Sequence, residues 1–218
     1  MSRGLRRVRK SLQEVADHTG HRLIAVRTNL RSHPVFNALN WEITHIAALA
    51  AVAHTLGERL GTMVVADSDA PPPFGSHPDL DPLWSSESVT LRSFGAGHSR
   101  LQRVAAIRDG SPLRGHLRVC WENRAESLNC GGCKKCLLTR LQLLAVGDPT
   151  GMDSFPDAPL VETLERLLQT EPGTSYPHFW RETPSALRDA RLRALIEELV
   201  TYQPPPRWKK RLKRLLHI

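Results

Sequence analysis

Residues 129–143 read NCGGCKKCLLTRLQL, and a fourth cysteine stands upstream in LRVCWEN at 117–123, with nine residues between it and the next. The chain has four cysteines, Cys120, Cys130, Cys133 and Cys136, all within one 17-residue window. A disulfide framework would staple distant loops, whereas the spacing C-x9-C-x2-C-x2-C delivers four thiolates, the number a closed tetrahedral zinc site needs. The glycines of CGGC let backbone amides turn towards the sulfurs. Lys134, Lys135 and Arg140 offset part of the charge of a metal tetrathiolate and favour the thiolate form. An iron–sulfur cluster is the rival, because C-x2-C-x2-C is part of a ferredoxin run, although the closing C-x3-C-P element is missing. Unmetallated or redox thiols are the third reading. Four thiolates leave no open coordination position, so zinc bound across 120–136 is expected to be structural.

Working outward, Leu137, Leu138, Leu141, Leu143 and Leu144 predict a helix that starts inside the cysteine cluster. Upstream, residues 5–19 carry apolar side chains at helical spacing before Gly20, and RLIAVRT at 22–28 reads as a short strand. A second helix over 43–56 leads into TMVVA at 62–66, an apolar run most simply read as a buried parallel strand. SVTLRS at 88–93 supplies a third strand, residues 100–108 a third helix, and 116–121 a short extended segment. Strands alternating with helices predict an α/β sheet whose ligand crevice lies at the carboxyl ends of the strands. Past Gly147 two helical stretches, about 159–169 and 185–201, form a helical C-terminal appendage. The expected organisation is an α/β domain at 1–147, a helical region at 148–203 and a basic tail at 204–218.

The 218 residues are 40% hydrophobic and 24% charged, enough for one sizeable core or two small ones. Thirty Lys+Arg against 22 Asp+Glu give a formal charge of +8. Five of the cations lie in residues 1–10 and six in 204–218, neither stretch holding an acid, so the intervening body is slightly acidic. Wholesale coating of the body by nucleic acid is therefore not implied. The longest apolar run, residues 46–53, is eight long, far short of the roughly 20 residues that span a bilayer. The basic start leads into SLQEV and not into an apolar segment, so no secretory signal is expected and a cytoplasmic location is the working assumption.

Between the second and third strands runs DSDAPPPFGSHPDLDPLWSSE at 67–87, too long and Pro-rich for an ordinary connection. Ser76, His77, Asp81, Trp84, Ser85 and Glu87 gather there the inventory of a substrate lid, with Asp81 and Glu87 as the expected catalytic carboxylates. The alternative is a surface loop fixed by its prolines, with Trp84 buried. On the lid reading, Asp81→Ala and Glu87→Ala spare stability and abolish turnover. His45 and His54 lie on nearly one side of the second helix, and His98, Arg100 and Arg103 open the third, whose N-terminus suits a phosphate. The tail at 204–218 reads as a basic amphipathic helix for an anionic membrane, nucleic acid or a partner groove.

The cysteine pattern, with VRTNLR at 26–31, GSHPDLDPLWSSE at 75–87 and SRLQRVAAI at 99–107, resembles the PP-loop ATP pyrophosphatase superfamily, in its 7-cyano-7-deazaguanine synthase (QueC-like) branch. The resemblance covers roughly residues 5–147. It implies a Rossmann-like three-layer sandwich, a four-cysteine zinc module, and ATP, with Mg2+, used to adenylate a small-molecule substrate before a nitrogen or sulfur nucleophile attacks. It also puts Thr28, Asn29 and Arg31 near the nucleotide or substrate. The superfamily's S-G-G-x-D-S loop does not precede residue 20, and TGMDS at 150–154 only imitates its tail. By the family pattern the first two strands and the ATP grip are missing. The expectation is an incomplete, ligase-like enzyme domain that depends on a protein partner or on self-association, or else a non-catalytic zinc-binding scaffold subunit. A nucleic-acid-binding module working through the basic ends is the third expectation.

Overall fold

The computed structural model describes residues 3–67, 75–108, 113–120, 122, 127–147 and 150–204. The tail expected at 204–218 therefore lies almost wholly outside the described residues. The chain divides into two compact units, residues 24–103 and residues 1–23 with 104–218.

The smaller unit is a β-α-type body around a two-stranded sheet. Helix α2 (Pro34–Ala38) starts on a proline with its N-cap at His33, whose Nδ1 accepts from Val35 N–H. Helix α3 (Trp41–Thr55) follows, capped by Asn40, whose side chain accepts from Glu42 N–H at 2.9 Å. Strands β1 (Thr62–Ala66) and β2 (Thr90–Phe94) pair in parallel, in the register Thr62 opposite Thr90 and Ala66 opposite Phe94. Because side chains alternate across a strand, Met63, Val65 and Leu91 fall on one face. With Val89 they pack against Ile46, Ala50 and Ala53 of α3. The alanine-rich run of α3 lets it lie close to so small a sheet. Helix α4 (Arg100–Arg108) begins in this unit.

The larger unit holds α1 (Arg3–Thr19), α5 (Lys134–Ala145), α6 (Leu160–Thr170), the single turn α7 (His178–Arg181) and α8 (Ala190–Thr201). Every residue of α5 from Cys136 to Leu143 is buried. A helix buried all round must serve two cores. On one side Leu137, Leu138 and Leu141 pack with Leu164 and Leu168 of α6, Trp180 of α7 and Leu195, Ile196 and Leu199 of α8. On the other, Cys136 and Leu143 pack with Val104, Cys120 and Phe155. Gln142, fully buried, donates from Nε2 to the Phe179 carbonyl and ties α5 to α7.

The fold is thus mixed α/β, mostly helical, with a small parallel sheet and a cysteine cluster. One expectation is corrected. Residues 22–28 form no strand: Ile24 and Val26 are exposed, and no neighbouring strand takes up the backbone hydrogen bonds that a β-branched run needs. The turn Arg114–His116 leads into chain without regular secondary structure over 117–120, and residue 121 lies outside the described residues. Residues after 147 share a core with α5, while residues 24–103 stand as their own unit. No described helix is long and apolar enough to cross a membrane.

Candidate metal centre

The four sulfurs come together from three local structures. Cys133 caps α5 in an extended conformation (φ −75°, ψ 162°), which places Cys136 in the first turn, where backbone N–H groups have no partner within the helix. Cys130 precedes a turn through Gly131, whose φ of +76° is left-handed, and a Cβ there would meet Pro156 Cδ at 3.2 Å. That turn swings Cys133 N–H onto Cys130 Sγ at 3.4 Å. Cys120, nearly fully buried, comes from the irregular segment before the cluster.

Asn129 joins these pieces. It is 1% exposed, and its carboxamide is saturated: Oδ1 accepts from Val119 N–H at 2.9 Å and Cys120 N–H at 3.1 Å. Its Nδ2 donates to the Leu117 and Ser154 carbonyls, both at 2.8 Å. One side chain therefore fixes the Cys120 segment beside Cys130 and brings in the turn Thr150–Ser154. Sequence reasoning passed over Asn129; the signal available was its position immediately before Cys130.

All four Sγ atoms lie within 4.8 Å of one another, and Cys130 to Cys136 measures 3.8 Å. A tetrahedron with metal–sulfur bonds of about 2.3 Å has edges of about 3.8 Å, so the donor set fits one four-coordinate ion. The cluster is compatible with a structural metal site. It is also the only group of metal-type ligands among the described residues, so His45 and His54 form none.

The thiols are electrostatically unequal. The hydrogen bond from the Cys136 thiol, helped by the Cys136 backbone N–H, pulls Cys133 down to about 5 against the effect of burial. That same hydrogen bond, with burial and the nearby Cys133 charge, pushes Cys136 well above the usual thiol range. Burial raises Cys130, opposed by the Cys133 and Gly132 amides. The Cys133 thiolate is thereby ready at neutral pH, while Cys130 and Cys136 wait on a cation. Arg140, 5% exposed, donates to the Gly131 carbonyl at 3.3 Å and to the Ala158 carbonyl. Burial lowers its pKa, opposed by the charges of Asp157 and Cys136. It thus sets a guanidinium in the second layer of the cluster, whereas Lys134 reaches out to Glu171 at 3.4 Å. Arg140 also lines a cavity of about 410 Å³ with Met152, Asp153 and Phe155, so TGMDS borders the metal module.

The residues expected to bind or transform a substrate lie in the smaller unit. Asp81 is fully buried, with Oδ2 accepting from Ser76 Oγ at 2.9 Å and from Ser93 Oγ, and Oδ1 from His77 N–H at 3.0 Å. Ser76, His77 and Asp81 are thus brought together, and this carboxylate ties residues 75–84 to β2. The expectation that its removal spares stability does not survive that burial. Ser85 Oγ accepts from Leu91 N–H at 2.9 Å, and the Trp84 carbonyl accepts from His54 Nε2 at 2.8 Å. The Trp84 indole is exposed, not buried, and Glu87 is exposed. Thr28 Oγ1 accepts from Leu30 N–H, Asn29 caps a single turn, and Arg31 stacks over the Trp41 ring at 4.9 Å. Arg103 is not left for a phosphate: it donates to the Asp67 carbonyl at 2.7 Å and the Gly95 carbonyl at 3.0 Å, joining the carboxyl ends of β1 and β2. No protein-family model, curated protein or solved structure matches the chain.

Proposed function

We propose that this chain is a zinc-stapled accessory subunit that contributes a half-sheet to a larger, cytoplasmic assembly. One observation carries the reading. Thr62, Val64 and Ala66 of β1 and Thr90, Arg92 and Phe94 of β2 form an exposed sheet face, with Val64 61% and Phe94 73% exposed. Parallel sheets occur with both faces covered, and a two-stranded pair is marginal by itself. Among the described residues no third strand joins either edge. The zinc would hold α5 and its surroundings rigid with no open coordination position, leaving chemistry to the partner. The reading predicts that the purified chain self-associates or binds a partner through this face, and that Phe94→Asp, at a solvent-facing position, keeps the fold and breaks the association. Sedimentation of the two proteins tests it. A wild-type chain that is a monodisperse monomer with two-state unfolding would count against the proposal and remove its self-association arm.

A second reading keeps the enzyme: an incomplete QueC-like, Rossmann-type ATP-dependent ligase domain whose ATP grip lies in the partner. What favours it is the turn between β2 and α4, where Gly95 and Gly97 have φ of +92° and +80° and Ser99 Oγ accepts from Gln102 N–H at the helix start. A glycine turn from a strand into a helix is a phosphate-binding arrangement. Equilibrium binding of ATP with Mg2+ decides it: micromolar affinity in the isolated chain supports a nucleotide site, and none in a folded, zinc-loaded chain removes it.

A further inference from the structure

We propose that the N-terminal half of α1, with the turn it packs against, is a binding face for double-stranded nucleic acid. This stands apart from the accessory-subunit reading, since it uses neither the sheet nor the cysteines.

Helix α1 carries Arg3, Arg6, Arg7, Arg9 and Lys10 in its first half, and its first acid is Glu14. The N-terminus of a helix is the positive end of its macrodipole, where acids stabilise and cations do the opposite. The first turn has no acid at all. A segment that breaks a local rule this consistently is one whose charges answer to something outside the helix. The helix is oriented to display them. Ser11 and Ala16 are buried, Val8 and Val15 are half-buried, and Arg6, Arg9 and Lys10 are exposed. Ser11 Oγ bonds His116 Nδ1 at 2.9 Å, docking α1 on the turn Arg114–His116. That turn brings His116 from 105 positions away, with Arg114 and Arg118 two residues to either side of it in the sequence. Glu14 lies 3.8 Å from Lys10 and 3.7 Å from His116.

The composition of the face selects the partner. A membrane-lying helix turns its apolar stripe outward, but here Val8, Val15 and Ala16 face inward, and Leu5 and Leu12 are the exposed apolar residues of α1. Single strands are gripped by stacking on aromatic rings, and residues 3–20 and 113–120 contain no Phe, Tyr or Trp. What remains is a row of cations suited to phosphates, a contact that positions a duplex without reading its sequence.

The test uses the full-length, zinc-loaded chain and fluorescence anisotropy with a labelled duplex of about 20 base pairs, as DNA and as RNA, across a salt series. The expected result is salt-dependent binding without sequence preference. Arg6→Gln/Arg9→Gln/Lys10→Gln should weaken it by at least about tenfold and make the log–log salt slope shallower by about 2.7, at about 0.9 per lost phosphate contact. Circular dichroism checks the fold, and Arg9→Gln alone, with a slope change of about 0.9, serves if the triple variant is unstable. Lys209→Gln/Lys210→Gln/Lys213→Gln tests the tail. Loss of affinity in the α1 variant sustains the proposal whether or not the tail variant also binds less. It is overturned if the α1 variant binds like the parent, if the parent binds neither duplex, or if the parent binds only vesicles of phosphatidylserine and phosphatidylcholine.

Discussion

Removing the Asn129 carboxamide should dismantle the metal centre without touching a cysteine. In Asn129→Ala, the Val119 and Cys120 amides and the Leu117 and Ser154 carbonyls lose their partner at a site 1% exposed. A buried group left unsatisfied costs about 1–3 kcal/mol. Allowing a water in the vacated space to recover part of this, the four groups together amount to about 4 kcal/mol. That is a large share of the roughly 5–15 kcal/mol that holds a domain together. Since metal binding is linked to folding, the same loss appears as about a thousandfold weaker zinc affinity, at about 1.4 kcal/mol per decade. Urea unfolding of the zinc-loaded protein and competition for zinc with a chromophoric chelator measure the two effects. If Asn129→Ala shifted stability by less than about 1 kcal/mol and held zinc as tightly as the parent, Asn129 would not be what seats Cys120, and the reasoning would be refuted.

Other outcomes follow from the same contacts. The chain should bind one Zn2+, and stripping it with a chelator should unfold the larger unit, detected as loss of helical dichroism; retention of full helicity would make the cysteines incidental. Because Cys133 titrates near 5 when folded, against its usual 9.0, its contribution to metal-free stability grows as pH rises from about 5 to 9 and is lost as pH falls through 5. Cys130 and Cys136 are raised, so metal binding at neutral pH displaces their protons and affinity climbs with pH. Ultraviolet thiolate absorbance of the metal-free chain and zinc competition at several pH values check both. Asp81→Ala should lower stability by about 3 kcal/mol, since hydrogen bonds to a charged acceptor carry about 1.5–3 kcal/mol each, while Glu87→Ala should stay within about 0.5 kcal/mol. Equal effects of the two substitutions in a denaturant titration would contradict their different burial.

The elements that were legible beforehand are those whose signal is local. TMVVA is β1 with the limits expected of it, 100–108 is α4, and the helix read from the leucines after Cys136 is α5. Periodicity and capping act over a turn or two and survive whatever the tertiary context is. RLIAVRT fails as a strand because β structure is completed by a neighbour, and the sequence of one strand does not say whether a neighbour exists.

The sequence by itself pointed to the four cysteines as a metal-type ligand set, because their spacing in one short window is that of a metal site, whereas seating Cys120 beside the other three took the Asn129 contacts. It also determined that the cations unmatched by acids sit at the two ends. Tertiary structure alone decided what each polar side chain is for. Asp81 looked available for catalysis until Ser76, His77 and Ser93 surrounded it, and Arg103 looked available for phosphate until Asp67 and Gly95 took it up. The physical reason is that a buried polar group is defined by the partners that satisfy it, and those partners lie as far as 36 positions away along the chain.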